Sequence, residues 1–505
     1  MSIARIVSRA QIGLMAPAVL VEVHLGAGLP CFNVVGLLAT EVKESKERVR
    51  AALSHSGFEL PAGRITVNLA PADLPKDGGR FDLAIALGVL IASGQLRPAR
   101  DMTELECFAE LSLDGQLRSV RGVLPAAVAA GGAAHEIIVA RQDQHELAAL
   151  AGVRGIACTT LLEVCQYLEG QLAWPTEFCT EQYPSQSPSR QLRLADVRGQ
   201  LLGKRALEVA AAGCHSVLFV GPPGCGKSML AARLPGLLPP LETNEALEVA
   251  MIASVAAGNR NRHCNRSRER PFRAPHHSAS ASAIIGGGPR ALPGEITLAH
   301  CGVLFLDELP EFDRRVLESL REPLETGEVS IVRAGARADY PARFQFVAAM
   351  NPCPCGQRGS GARPCRCTAA QVDRYLARLS GPLLDRIDLR IALEPVSEAE
   401  LAESPASESV AEAVILERVN RAHRCQRERQ NCSNAHLGIA QLAEVATPDS
   451  ESARLLARMR AQLGLSMRSQ HRLLRVARTL ADLAGRVEIA AGDIAEAASL
   501  RRALG

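Results

Sequence analysis

The stretch Val217-Leu218-Phe219-Val220-Gly221-Pro222-Pro223-Gly224-Cys225-Gly226-Lys227-Ser228 decides how this chain is read. Its apolar start predicts a buried strand, its glycines a tight turn, and its end the first turn of a helix. Gly221, Gly224 and Gly226, with Cys225 among them, free the backbone to point N–H groups at a polyphosphate. Lys227 then reaches the β- and γ-oxygens, and the Ser228 hydroxyl can ligate Mg²⁺. The segment reads as a phosphate-binding loop.

A second apolar run, Val303-Leu304-Phe305-Leu306, ends in Asp307-Glu308. A buried strand tipped by two carboxylates is the expected second half of an ATPase site, since phosphoryl transfer needs mainly positioning and charge neutralisation. Asp307 is expected to hold Mg²⁺ through its water shell, and Glu308 to polarise the attacking water. ATP and Mg²⁺ are therefore the expected cofactors. A third strand, Phe344 to Ala349, delivers Asn351, and Leu383-Leu384-Asp385-Arg386-Ile387-Asp388-Leu389 follows it. Read alone, Arg386 is an ion-pair partner for Asp385 or Asp388.

Apolar residues make up 47% of the 505 and aromatics only 3%, so Ala, Leu, Val and Ile must fill the core, and platforms for stacking bases are scarce. A net charge of +3 confines any nucleic-acid contact to local basic clusters. No charged leader with an apolar stretch opens the chain, and no apolar run approaches the roughly 18 residues a membrane span needs. A cytoplasmic protein without membrane contact is expected. Its 15 cysteines are then reduced thiols in the main, with metal binding the use of any tight cluster.

Residues 171–190 carry Trp174-Pro175, Pro184, Ser185, Ser187, Pro188 and Ser189 without apolar periodicity, which is linker composition. Before it, residues 1–170 alternate expected strands at 19–23, 31–35 and 65–69 with helices at 81–96 and from Leu147 onward. After it, residues 191–395 hold an αβα succession. Residues 396–505 read as helical, with Val414-Leu416-Val419 and Leu473-Leu474-Ala477-Leu480 marking apolar faces. The expected class is α/β multidomain: an α+β N-terminal domain, a P-loop α/β core and a C-terminal helical domain.

Four further patterns stand out. Cys353-X-Cys355 and Cys365-X-Cys367 bracket a Gly- and Arg-rich loop containing Arg358, Arg363 and Arg366, and four thiolates so close suggest tetrahedral Zn²⁺. The one-residue inner spacing is tighter than zinc sites usually have. Arg260, Arg262, Arg266, Arg268, Arg270 and Arg273 face a single acid, Glu269, and read either as solvated surface or as a track for a phosphate backbone. Arg418, Arg421, Arg424 and Arg427 read as a solvated helix face, and His276-His277 as a loop pair engaged in hydrogen bonds.

An Asn at the tip of the strand beside the acidic one, followed by an Arg in Leu-Leu-Asp-Arg-Ile-Asp-Leu, resembles the AAA+ ATPases of the magnesium-chelatase and MCM branch. The resemblance makes Asn351 the sensor of the γ-phosphate and Arg386 a finger reaching into a neighbouring subunit. It places Arg468 at the second sensor on a helical lid, ahead of Arg472, and implies a ring, most simply a hexamer. Arg270-Pro271-Phe272-Arg273-Ala274-Pro275-His276-His277-Ser278, Gly286-Gly287-Gly288, Pro293-Gly294-Glu295-Ile296, Gly302 to Phe312, and Asn351-Pro352-Cys353-Pro354-Cys355-Gly356 closely match the ComM (YifB) family of that branch. Members are bacterial ATPases, and the best understood are hexameric helicases that promote branch migration of incoming DNA in natural transformation. Duplex, forked or branched DNA and recombination proteins are the partners this implies. Residues 327–337 alternate around a Gly turn as a β-hairpin should. In MCM-like rings this hairpin enters the pore, which makes Arg333, with Arg337, the candidate DNA contact.

The N-terminal domain resembles the proteolytic domain of Lon, with Pro75-Lys76-Asp77-Gly78-Gly79 at the turn ahead of that family's serine. Arg80 and Phe81 follow instead, and neither is a hydroxyl nucleophile, so a proteolytically inert domain is expected. The competing reading of the whole chain is a chelatase-like or MoxR-like ATPase that remodels a protein partner.

Overall fold

The computed structural model describes residues 2–35, 40–148, 150–175, 178, 192–256, 268–333, 336–359, 364–396, 405–463 and 466–501. A mixed, 7-stranded sheet occupies the N-terminal part, in the order 31–35, 64–70, 18–26, 2–9, 105–108, 136–140, 155–158. Val19, Val21 and Val23 alternate into its core, as the two-residue period of a strand requires. The helix Asp82–Ser93 is apolar around most of its circumference and is buried accordingly.

The helix expected from Leu147 onward is not there. A short helix, Gln144–Leu147, ends at that residue, and a strand, Gly155–Cys158, precedes the helix Leu161–Leu168. The glycines explain it: Gly152 has φ 81°, and a Cβ on Gly155 would lie 1.9 Å from the carbonyl oxygen of Ile137 in the paired strand. The stretch read as a linker also starts later than its composition suggests. Trp174 packs edge-on against Tyr167 at 6.2 Å and under the Arg100 guanidinium at 4.1 Å, and Phe178 is buried with Val139 and Leu147. Residues 176–177 and 179–190 lie outside the described residues.

The second sheet has 5 strands, all parallel, in the order Phe272–Arg273, Val303–Leu306, Gln345–Met350, Val217–Val220, Leu389–Ala392. Both faces are covered, so its strands are apolar throughout and alternate residues feed two cores. Val217, Phe219, Val303 and Phe305 meet the C-terminal helices; Leu218, Val220, Leu304 and Leu306 meet the opposite face. The helices Pro405–Gln430 and Met467–Leu483 pack on the helix Leu201–Gly213, so the C-terminal helices share a core with the sheet. This topology brings the carboxyl ends of three adjacent strands out side by side, where ligands of open α/β sheets bind.

The arginines of the long C-terminal helix do more than face solvent. Arg418 pairs with Glu208 at 2.8 Å, Arg427 with Glu242 at 2.6 Å, and Arg421 donates to the carbonyl of Leu483. They tie the helix to its neighbours. The N-terminal unit touches the ATPase core in turn: Gly122 N–H donates to Ser254 O at 3.0 Å, Arg290 lies 3.5 Å from Asp77, and Leu14 packs into the core under the hairpin that begins at Glu328.

Candidate nucleotide site

At the end of the strand Val217–Val220 the chain turns through Gly224 and Gly226, whose φ values of 81° and 92° suit glycine alone. Lys227 opens the next helix. Its Nζ donates to the carbonyls of Gly221 and Pro222 at 2.7 and 2.8 Å and to Asn351 Oδ1 at 3.2 Å, and burial lowers its pKa. Ser228 Oγ donates to Asp307 Oδ2 at 2.5 Å. Lys227, Ser228, Asp307 and Asn351 are therefore brought together. Asp307 Oδ1 also accepts the N–H of Glu308 at 2.9 Å, which fixes the carboxylate's angle. Two hard oxygens this close suit Mg²⁺, whose octahedral shell sets neighbouring ligands about 2.9 Å apart.

Glu308 sits in the left-handed region at φ 53°, an unusual conformation for a side chain of this size, and its carboxylate is half exposed. Its Oε2 lies 3.3 Å from Nδ1 of His277, whose ring rests 4.1 Å from that of His276 and edge-on to Phe312. Reading the His pair only as loop hydrogen bonds missed this contact. The signal was in the topology: His277 follows Phe272–Arg273, the edge strand beside Val303–Leu306, so its position is next to the end of the acidic strand.

Arg386 and Arg468 lie elsewhere. Arg386, nearly buried, gives Nη1 to Pro382 O at 2.8 Å and Nη2 to Glu325, while Arg468 Nη2 meets the other oxygen of Glu325 at 2.9 Å. Neither Asp385 nor Asp388 is the partner of Arg386, as its neighbours in sequence suggested. Asp388 is taken by Arg472 at 2.6 Å and lies 3.4 Å from His215 Nδ1. Glu325, on the helix Pro323–Thr326, had no signal in the sequence, and the two arginines hold its carboxyl below the usual range, Arg386 chiefly.

The four clustered cysteines converge despite their tight spacing. Cys353, Cys355 and Cys365 have Sγ–Sγ distances of 3.4 to 3.6 Å, and Cys367 lies within 4.8 Å of all three. A tetrahedral zinc with bonds of about 2.3 Å holds its sulfurs roughly 3.8 Å apart, so the donor set fits. Backbone N–H groups, that of Gln357 first, pull the Cys355 thiol down to about 6. The loop abuts the phosphate loop: a Cβ on Gly356 would lie 2.7 Å from Pro223.

The expected hairpin is present as Glu328–Arg333 paired with Ala336–Pro341. Val329, Ile331, Ala338 and Tyr340 face the core, Val332 is exposed near the tip, and Arg337 lies 3.4 Å from Asp339. The side chain of Arg333 lies outside the described residues. In the arginine run, Arg260, Arg262 and Arg266 lie outside them too, and Arg270 and Arg273 are not a free track. Arg270 binds Glu245 and two carbonyls, and Arg273 grips Glu295 with two bonds of 2.6 and 2.7 Å. At the Lon-like turn Arg80 is buried, donates to the carbonyls of Arg9 and Arg121, and is pulled down to about 10 by burial.

The phosphate loop, the acidic strand end and Asn351 on one parallel sheet define a magnesium-chelatase-like AAA+ ATPase. The family models agree: "Magnesium chelatase, subunit ChlI" matches residues 193–401, "Subunit ChlI of Mg-chelatase" residues 21–143, and the ChlI C-terminal model residues 408–501. The chain belongs to the ComM/YifB family. It is 48% identical over 503 residues to the competence protein ComM of Haemophilus influenzae, covering 99% of this chain and 98% of that protein. Identity to YifB of Escherichia coli is 46% over 503 residues, covering 99% and 97%. The magnesium-chelatase 67 kDa subunit of Heliobacterium mobile is 29% identical over 246 residues, 42% of this chain and 34% of that protein. The family implies ATPase activity with ATP and Mg²⁺, and AAA+ proteins are commonly oligomeric. Among the described residues no helix is long and apolar enough to cross a membrane.

Proposed function

We propose that this chain is an ATP-driven, ring-forming and hexameric DNA helicase or translocase of the cytoplasm, which promotes branch migration as transforming DNA is integrated by homologous recombination. The observation that carries the reading is the full-length match to a competence protein, on a chain whose Lys227, Ser228, Asp307 and Asn351 meet at the carboxyl ends of three adjacent strands. In this reading Lys227 and the amides of Gly221, Gly224, Cys225 and Gly226 hold the polyphosphate. Asn351 senses the γ-phosphate, and Glu308 polarises water. Bound Mg²⁺, with Ser228 and Asp307 as its protein oxygens, would neutralise phosphate charge. Arg386 is the finger acting on a neighbouring subunit, and Arg468 is the second sensor on the helical lid.

The remaining parts follow from the same reading. Residues 1–170 are a Lon-like domain whose nucleophile position is filled by a buried arginine, and the helices of 396–505 are the lid. Cys353, Cys355, Cys365 and Cys367 would hold Zn²⁺, which would pin the loop beside Pro223. Arg333 and Arg337 on the hairpin hold successive phosphates regardless of base sequence, as a motor on any DNA must. The test is ATP turnover with and without forked duplex. Strong stimulation is expected, and Arg333→Ala should keep basal turnover while losing stimulation and strand displacement. A wild-type protein indifferent to DNA would return the chain to the protein-remodelling class.

A further inference from the structure

We propose that the N-terminal domain is the seat of the hairpin, its turn at 11–15 bracing the returning strand Ala336–Pro341 so that a load on the hairpin tip is passed into that domain; this rests on the hairpin as the DNA contact. The approach is close. Gly13 turns at φ 60°, and a Cβ there would lie 3.3 Å from both Ala338 Cβ and Asp339 O, so the bare glycine lets the turn lie on the strand. Leu14 beside it packs into the core that buries Val329, Ile331, Ala338 and Tyr340, the apolar face of the hairpin. A two-stranded hairpin is marginal by itself and keeps its place only where such a face is covered.

The turn is stiff, and it is rooted in the N-terminal core. Ile12 and Met15 exchange two backbone bonds of 2.9 Å, and Gln11 Nε2 donates to Gly13 O at 2.5 Å. At the base Arg9 grips the fully buried Glu106 of the neighbouring strand with two bonds of 2.6 Å and gives Nη1 to Ala16 O at 2.9 Å. Breaking such a buried pair leaves an uncompensated charge, so both ends of the turn are held to the sheet. Two further contacts fasten the domain to the ATPase core. Ser254 accepts the N–H of Gly122 on its carbonyl at 3.0 Å and that of Leu124 on its hydroxyl at 3.4 Å, at the start of the helix Val123–Gly132. Asp77 lies 3.5 Å from Arg290, the neighbour of Ala291, whose carbonyl takes the Tyr340 hydroxyl at 2.9 Å. The hairpin is thus packed against one domain and hydrogen-bonded to the other, and its displacement reaches the N-terminal sheet through Leu14 and Arg9.

The experiment is ATP turnover and strand displacement by the full chain, without DNA and with forked duplex. Leu14→Ala, which empties the contact and belongs to no part of the nucleotide site, should keep basal turnover within about twofold. Stimulation by DNA and strand displacement should fall roughly fivefold or more, the size of a lost coupling between two sites. Leu14→Met, of similar volume, should restore both. A loss that falls equally on basal and stimulated turnover marks a merely structural side chain and overturns the proposal, as does a Leu14→Met no better than the alanine variant. A wild-type protein indifferent to DNA overturns the proposal together with the reading it rests on, whereas stimulation of wild type and of Leu14→Ala alike overturns the proposal alone.

Discussion

The phosphate side and the arginine side of this molecule are built on opposite plans. Lys227, Ser228, Asp307 and Asn351 close on one another at adjacent ends of a parallel sheet, through bonds of 2.5 to 3.2 Å made entirely within the chain. Arg386 and Arg468 come from separate helical segments and share one carboxylate, Glu325, which is 56% exposed. Burial leaves Arg386 Nε without a hydrogen-bond partner, so this guanidinium is only partly satisfied where it stands. The contrast teaches that neighbouring strand ends of the chain itself assemble the phosphate half, whereas the two arginines are engaged by a carboxylate away from it. Under the proposed function such a division leaves the transition-state charge to be supplied by a neighbouring subunit.

The hardest test of that division has the largest expected effect. Arg386→Ala should lower turnover by roughly 10³-fold or more while ATP affinity stays within about twofold, since a finger supplies charge only to the transition state. Lys227→Ala should instead lose ATP affinity, because its Nζ is the cation of the phosphate loop. Mixed rings of the two inactive variants should regain turnover, measured across mixing ratios at constant total protein. If Arg386→Ala weakens ATP binding as much as Lys227→Ala does, both halves belong to one subunit and the comparison breaks.

How much of this was legible follows from the same contrast. The phosphate half could be read from residue order because each group lies at the end of an apolar strand, and parallel sheets align such ends. Strand adjacency was also enough to place Asn351 beside the acidic strand, although its bond to Lys227 is a feature of the folded loop alone. The arginine half was not legible beyond its candidates. Glu325 is one of many surface acids, and nothing local marks it as the partner of residues so distant in sequence. Arg270 and Arg273 misled for the same reason: a run of like charges shows no partners, and theirs, Glu245 and Glu295, arrive from other segments. Leu147 misled because its glycines lie a few residues on, and Trp174 because a Pro-rich stretch can still bury its one large ring.

A second test acts on the phosphate half from beside it. Metal analysis of protein purified without chelator should find close to one zinc per chain, lost in Cys353→Ser with Cys355→Ser. Because Gly356 of that loop packs on Pro223, turnover should fall with the metal, by roughly tenfold, as positioning loosens near the phosphates. Metal-free protein with full turnover would separate the cysteine loop from the site.

The smallest effect belongs to Glu325, and it decides what that residue is for. Its carboxylate holds Arg386 and Arg468 together in this chain, yet the site proposed for Arg386 lies on another subunit. Arg468 and Glu325 are both exposed, and such a pair contributes about 1 kcal/mol at most, so that contact can be exchanged at modest cost, whereas Arg386 is buried at its own. Glu325→Gln removes the competing charge and keeps the shape. Turnover plotted against protein concentration should then reach its half-maximum at a concentration roughly two- to fivefold lower than in wild type, because a released Arg386 engages a neighbour more readily. The same curve shifted to higher concentration would mean that Glu325 orients the Arg386 guanidinium for the neighbour, making it part of the finger's scaffold and the arginine half as preorganised as the phosphate half.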